Sequence, residues 1–154
     1  MQLTFWTEEP SVDGEPEDSE GAWRGNIGRA GEYIVAAELE LAGFPCSHAA
    51  EGLSYDLIAQ TKDGSLCRIQ VKAASVASRP DTRQAFYRFK SKNRGLCDYE
   101  NVDVFAFVAL DKRVATFARA AYIQTRSVFI LERDFADTNL RALSLSQALA
   151  TSTH

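Results

Sequence analysis

An α/β fold, one domain with a mixed central sheet flanked by helices, is predicted by three features of this sequence. Gly28 to Gly43 carries apolar residues at helical spacing, with Gly43 as its C-terminal stop. Two short apolar segments, Ser54–Ile58 and Arg68–Ala73, flank Lys62-Asp63-Gly64 as the strands of a hairpin. Val102 to Leu110 is a continuous apolar run, short enough for one fully buried strand. At 154 residues and 45% hydrophobic content, the chain is long enough to bury a real core.

Residues 1–24 form an acidic, flexible tail, and residues 25–154 the domain. The first 23 residues hold seven acids (Glu8, Glu9, Asp13, Glu15, Glu17, Asp18 and Glu20) and no base. The formal net charge of -4 therefore comes from the tail. The rest sets 17 basic residues against 14 acids, a balance of +3 that is compatible with a nucleic-acid partner. Pro10, Gly14 and Pro16 with few apolar residues give the tail the composition of a disordered segment. Phe5 and Trp6 could pin its start to a partner surface. A solubilising role is the simpler reading; mimicry of DNA at the site is the specific one.

On the helix, Ala30, Ile34, Ala37 and Leu41 form one apolar stripe. Val35, Ala36 and Leu39 form a second, weaker one, with Glu32 in line at its N-terminal end. Glu38 and Glu40 fall between the stripes and should be solvated. Glu32 is thus an acid facing inward, which needs a partner. Gly25, Gly28 and Gly31 are not spaced G-x-G-x-x-G and follow no strand, so a dinucleotide loop is excluded. His48, after the Phe44-Pro45-Cys46 segment, is expected to be structural or exposed, and is a weak candidate for contacting substrate.

The hairpin sets the register of the site. Alternation sends Arg68, Gln70 and Lys72 to one face of their strand and Ile69, Val71 and Ala73 to the other. A three-residue loop Lys62-Asp63-Gly64, with Gly64 left-handed, places Asp56 opposite Gln70. A two-residue Asp63-Gly64 turn would shift the register by one and turn Asp56 away. With the longer loop, a carboxylate, an amide and an amine converge on one patch. Such a set can hold a divalent cation and a water beside a phosphate.

Arg79, Arg83, Arg88, Lys90, Lys92 and Arg94 follow, against one acid, Asp81, and are interleaved with Phe86, Tyr87 and Phe89. A basic run with aromatics suits the phosphate backbone of DNA. Asp111-Lys112-Arg113 reads as a turn into a strand, Val114–Arg119. Ser127–Leu131 fits either strand or helix. Ser144, with Gln147 three residues on, would cap a short C-terminal helix through Leu149.

Cys46, Cys67 and Cys97 are odd in number and far apart, which fits reduced, mostly buried thiols and no structural zinc. No apolar run reaches membrane-spanning length, and the N-terminus lacks the basic and apolar regions of a signal peptide. A cytoplasmic protein, bacterial, archaeal or in a phage-infected host, is expected.

The string Gly28-x-x-Gly31-Glu32, Gly43-Phe44, Tyr55-Asp56-Leu57-Ile58 and Gln70-Val71-Lys72 resembles the PD-(D/E)xK nuclease superfamily. It is most similar to variants with Gln in the (D/E) slot, as in homing endonucleases of group I introns, and also to archaeal-type Holliday junction resolvases. The resemblance covers roughly residues 25 to 110. It implies a restriction-endonuclease-like fold with an αβββαβ core, matched by the order helix, strand, strand, strand, basic helix or loop, strand. Glu32 corresponds to the helix acid, Asp56 to the metal-binding aspartate, Gln70 to the (D/E) position and Lys72 to the lysine. The chain departs from the pattern where Ser54-Tyr55 replaces the Pro and where Gln70 replaces an acid, leaving the site one charge short.

The resemblance implies a metal-dependent DNA endonuclease hydrolysing phosphodiester bonds. Asp56 and Glu32 would bind Mg2+, or Mn2+ as a substitute, with the Val71 backbone carbonyl as an extra ligand. Lys72 would orient the attacking water or stabilise the pentacoordinate phosphate, and Gln70 would orient the water shell. No small-molecule cofactor is implied. The partner would be DNA, duplex or branched, contacted through the 79–94 cluster. One site per small chain implies a homodimer or higher oligomer, with Val128-Phe129-Ile130-Leu131 or the C-terminal helix as contacts. Two other classes fit the same sequence: a nuclease-fold protein that binds nucleic acid without cutting, or an interaction protein acting through its acidic tail.

Overall fold

A computed structural model describes residues 5–6, 21–81, 84–90, 101–123 and 125–150, with side chains from residue 25 onward. The elements run β1 (Phe5–Trp6), α1 (Gly21–Leu41), β2 (Cys46–His48), β3 (Leu57–Gln60), β4 (Leu66–Ala74), β5 (Phe86–Lys90), β6 (Val104–Ala109), β7 (Val114–Arg119), β8 (Ser127–Leu131), α2 (Glu132–Ala136) and α3 (Thr138–Ala148). None of the helices among the described residues is long and apolar enough to cross a membrane.

Five strands form a mixed sheet in the order β2-β3-β4-β6-β7. The neighbours β4 and β6 are parallel; the other pairs are antiparallel. A smaller antiparallel sheet has the order β1-β8-β5. The large sheet is covered on both faces. Val35 and Leu39 of α1, with Leu145 and Ala148 of α3, pack on Ile69, Val71, Ala106, Val108 and Phe117. On the other face Phe105, Phe107 and Ala109 meet Tyr87, Phe89, Val128 and Ile130 of the small sheet and Phe135 of α2. β6 is buried along its whole length, which accounts for its unbroken apolar run.

α1 starts at Gly21 rather than Gly28, and ends as expected. Gly43 has φ of +84°, its N–H donates to the Glu40 carbonyl, and the Phe44 N–H reaches back to the Leu39 carbonyl. These are the two bonds of a Schellman motif, sealed by the Leu39 and Phe44 side chains in one core cluster. The buried face differs from the expected one. Val35 and Leu39 are fully buried, whereas Ala30 and Ala37 are exposed and Leu41 is 89% exposed. The weaker stripe wins because it continues from Gly31. A Cβ there would lie 3.0 Å from Ala73 Cβ and 3.4 Å from Val71 Cγ1, so the missing side chain lets the helix backbone settle onto β4. Glu38 is likewise half-buried, not solvated: its Oε1 accepts the Ala115 N–H at 2.9 Å and stands 3.7 Å from Arg141. Glu40 is exposed, yet its Oε1 accepts the Cys46 N–H at 2.9 Å.

The hairpin has the expected register. Leu57 pairs Ile69 and Gln60 pairs Leu66, and the Thr61 N–H bonds the Ser65 carbonyl across the three-residue loop. Gly64 adopts φ of +86°, and Asp63 Oδ1 accepts the Ser65 N–H and hydroxyl.

The expected basic helix or loop contains a strand instead, β5; residues 91–100 lie outside the described ones. Ser127–Leu131 is strand β8, paired with both β1 and β5. Because Val128, Phe129, Ile130 and Leu131 are all buried, this segment is core and not an oligomer contact. Ser144 does not start the C-terminal helix. α3 begins earlier, capped by Asp137, whose Oδ1 accepts the Leu140 N–H at 2.9 Å. Ser144 is buried mid-helix, where its hydroxyl donates to the Arg141 carbonyl and accepts the Phe117 N–H of β7. Cys46 and Cys67 are free thiols, the second buried and raised to about 12 by that burial. Cys97 lies outside the described residues, as do the acids of the N-terminal segment.

Two glycines of α1 should behave oppositely. Nothing lies within 4 Å of a Cβ at Gly28, so Gly28→Ala should stabilise the protein by about 0.5–1 kcal/mol, the ordinary gain in a helix interior. Gly31→Val should destabilise it by roughly 1–3 kcal/mol by prying the helix off β4. Urea unfolding of both variants checks this; equal effects would show that the helix does not rest on Gly31.

Candidate active site

β3 begins at Leu57, and the preceding residue, Asp56, extends its ladder. The Asp56 N–H donates to the Ile69 carbonyl at 2.8 Å. Its carboxylate Oδ2 accepts the Val71 N–H at 2.7 Å and the Gln70 Nε2 at 2.7 Å. Asp56 and Gln70 therefore lie together, as the three-residue loop requires. A carboxylate can only accept, so the Gln70 amide presents its NH2 to Asp56 and keeps its oxygen for another partner. Oδ1 of Asp56 has no hydrogen-bond partner among the described residues. The N–H and C=O of a strand residue point to the same side, so the Val71 carbonyl faces the gap beyond the end of β3.

Glu32 approaches from α1, set one residue after the close contact at Gly31. Its Oε2 stands 3.4 Å from Nδ1 of His48, the last residue of β2. Burial, and then the charge of Asp56, raise the Glu32 carboxyl above its ordinary value, while His48 and Arg29 pull it down. Asp56 is raised too, by burial, against the Val71 N–H and the charges of Lys72 and His48. Asp56 thus lies within electrostatic reach of Glu32, Lys72 and His48, and Gln70 touches it directly.

The chemistry of these groups suits a hard cation. Two carboxylates repel each other in a half-buried place, and oxygens of Asp56, Gln70 and Val71 remain for an outside ligand. Among the described residues no three His, Cys, Asp or Glu side chains stand together as a ready-made metal cluster. With Gln70 in place of an acid, much of a cation's shell would be water, which Mg2+ tolerates well.

Arg68 shares the strand face of Gln70 and Lys72 but serves structure. Asp103, just before β6, holds it by Nε at 3.0 Å and NH2 at 3.0 Å, and its Oδ2 also accepts the Arg68 N–H. The 79–94 cluster is divided. Arg79 pairs with Glu132 at 2.5 Å, and Lys112 takes the same carboxylate at 2.9 Å. Arg88 lies over the Phe129 ring at 5.9 Å. Lys90 is exposed at the end of β5, and Arg83, Lys92 and Arg94 lie outside the described residues. Phe86, Tyr87 and Phe89 are buried in the core rather than presented with the cations. β5 is a covered strand, so its aromatics complete hydrophobic layers on both sides.

His48 stands closer to Glu32 than its place in the sequence announces. Its proximity to Glu32 depends on β2 pairing with β3, with His48 opposite Leu57 next to Asp56. A three-residue strand carries too little periodicity to announce that pairing.

The chain is similar to the structure of a bacterial homing endonuclease, I-Ssp6803I, with a TM-score of 0.56 at 14% identity, over 74% of this chain and 82% of that one. A weaker likeness, TM-score 0.48 at 13% identity, links it to Hjc of Archaeoglobus fulgidus, a Holliday junction resolvase, over 82% of this chain and 98% of that one. No curated protein sequence matches it significantly. The first likeness shows the restriction-endonuclease-like fold. Residues 24–129, well over half of the chain, match the PD-(D/E)XK endonuclease family, and the protein belongs to that family.

Proposed function

We propose that this nuclease is a divalent-metal-dependent DNA endonuclease that hydrolyses phosphodiester bonds at the end of β3. The observation that carries the reading is the bonding of Asp56: one carboxylate oxygen is tied to Gln70 and the Val71 N–H, and the other is left open beside a second, charge-strained carboxylate. Asp56 and Glu32 would hold Mg2+ or Mn2+, assisted by the Val71 carbonyl. The chemistry supplied by such a cation, when bound, is neutralisation of phosphate charge and acidification of its water. Gln70 fixes the Asp56 rotamer through its NH2 and offers its amide oxygen to a water. Lys72 projects from the same face of β4, where its ammonium can orient the attacking water or stabilise the negative charge that develops on phosphorus.

Gln70 also relieves charge at the site. An acid at this position would set a third anion against Asp56, with no donor to bind it. The amide replaces that repulsion with a hydrogen bond. The same substitution leaves two carboxylates rather than three to hold a cation, which would favour weaker, water-rich binding.

DNA is the expected partner, and phosphate contacts would come from Lys90, Arg83, Lys92 and Arg94 of the 79–94 segment. Two strand cuts from a chain with one site call for a homodimer or higher oligomer. A cytoplasmic location accords with access to DNA.

Three variants separate binding from chemistry. Asp56→Asn should abolish both Mn2+ binding, read by calorimetry, and plasmid cleavage, because it removes the anionic ligand. Lys72→Ala should spare metal binding and lower the cleavage rate on the order of 10²–10³. Gln70→Glu should tighten Mn2+ binding while lowering the melting temperature of the metal-free protein at neutral pH. Full activity in Lys72→Ala would remove the mechanism; Mn2+ titrations of Gln70→Glu that overlay the wild type would place residue 70 outside the site.

A pH test follows from Glu32. Its raised carboxyl binds more protons in the folded chain than in the unfolded one, so stability falls as pH climbs through the carboxylate range. In chelator, Glu32→Gln should therefore melt above the wild type at pH 7. The gap should close as pH falls below the ordinary carboxylate value. Adding Mn2+ should raise the wild-type melting temperature alone. A variant that melts lower at pH 7 in chelator would show that Glu32 is not strained.

Two cations of β5 should differ in what they do. Lys90→Ala should weaken binding to all DNA sequences alike and reduce the salt slope by about one unit. Arg88→Ala should act on stability instead, because it strips the Phe129 ring of its covering guanidinium. Binding isotherms over a salt series, with parallel melts, distinguish the two; an unchanged slope in Lys90→Ala would make it ordinary surface.

A further inference from the structure

We propose that His48 is a positioning residue for the metal site, holding the Glu32 carboxylate in place beside Asp56. The proposal rests on the reading of Glu32 and Asp56 as metal ligands. Four observations support it. Nδ1 of His48 stands 3.4 Å from Glu32 Oε2, and no other hydrogen bond or ion pair reaches that carboxylate among the described residues. The imidazole is itself fixed: its ring packs edge-to-face on Tyr33, with centroids 5.3 Å apart. Its backbone is fixed by pairing with Leu57, the residue after Asp56. The loop between them is closed by the Ala49 N–H on the Asp56 carbonyl at 2.9 Å, so β2 and the Asp56 corner move as one piece.

The consequence is geometric. A glutamate on a helix has three side-chain torsions, and among the described residues no hydrogen bond from α1 selects the rotamer that faces Asp56. Repulsion between the two carboxylates works against that rotamer. A donor on the neighbouring strand reverses the preference, and it engages one oxygen while leaving the other for a cation. A neutral ring suffices when its proton sits on Nδ1, the tautomer a carboxylate partner selects. Residues that orient metal ligands in this way typically contribute 10–100-fold to affinity.

The test uses the full chain and Mn2+ alone. Calorimetry should find His48→Ala binding Mn2+ about 10–100-fold more weakly than the wild type, with an unchanged melting temperature in chelator, because the side chain is 44% exposed on an edge strand. His48→Asn, whose side-chain NH2 can take the place of Nδ1–H, should restore affinity to within a few-fold. Wild-type affinity in His48→Ala, or no rescue by His48→Asn, overturns the proposal. A wild type that binds no Mn2+, or an Asp56→Asn variant that binds it undiminished, overturns the site reading itself and the proposal with it.

Discussion

The rest of the site hangs on one carboxylate oxygen. Oδ2 of Asp56 accepts the Val71 N–H just before β3 begins, and so replaces a missing ladder bond of a central strand. Without it the amide of the buried Val71 would have no acceptor, a loss of about 1–3 kcal/mol. The same oxygen takes the Gln70 amide. A structural bond and a site contact thus share one atom. The hairpin register, the direction of Asp56 and the orientation of Gln70 are a single constraint, and shifting the strands by one residue would undo all three.

Against this order stands a local electrostatic conflict. Glu32 and Asp56 both titrate higher than ordinary carboxyls, from burial and, for Glu32, from the charge of its neighbour. The fold tolerates the conflict through a handful of neighbours. Gln70 is neutral and donates, Lys72 contributes an opposite charge, and His48 meets Glu32. Perturbed acids gathered at a strand end are characteristic of functional sites, because a structure optimised for stability alone would pair or remove them.

The basic segment after β4 shows how a charge pattern is rewritten by packing. Its aromatics alternate into two hydrophobic layers, and two of its arginines are held within the fold, Arg79 by Glu132 and Arg88 over Phe129. Glu132 joins Arg79 and Lys112 across the turn from β8 into α2, so part of the positive charge braces the far end of the sheet. Among the described residues, the charge that this segment could offer a nucleic acid is therefore narrower than its run of basic residues.

Features that depend on neighbours a few residues apart are legible in the amino-acid chain. The Gly43 stop, the Gly64 loop and the alternation of β4 are short-range, and together they dictate the Asp56–Gln70 pairing. The unbroken apolar run of β6 likewise announces a strand covered on both faces. Which face of α1 is buried emerges only in the folded protein. Two apolar stripes compete along that helix, and the buried, weaker one starts at a glycine, whose fit against Ala73 exists only once β4 is in place. Packing also makes Ser144 a bridge to β7 rather than a helix cap, and makes β8 core rather than interface. The Glu32–His48 contact belongs to the same class. It joins a helix to an edge strand whose partner is chosen by long-range pairing, and three residues carry no period from which that choice could be read.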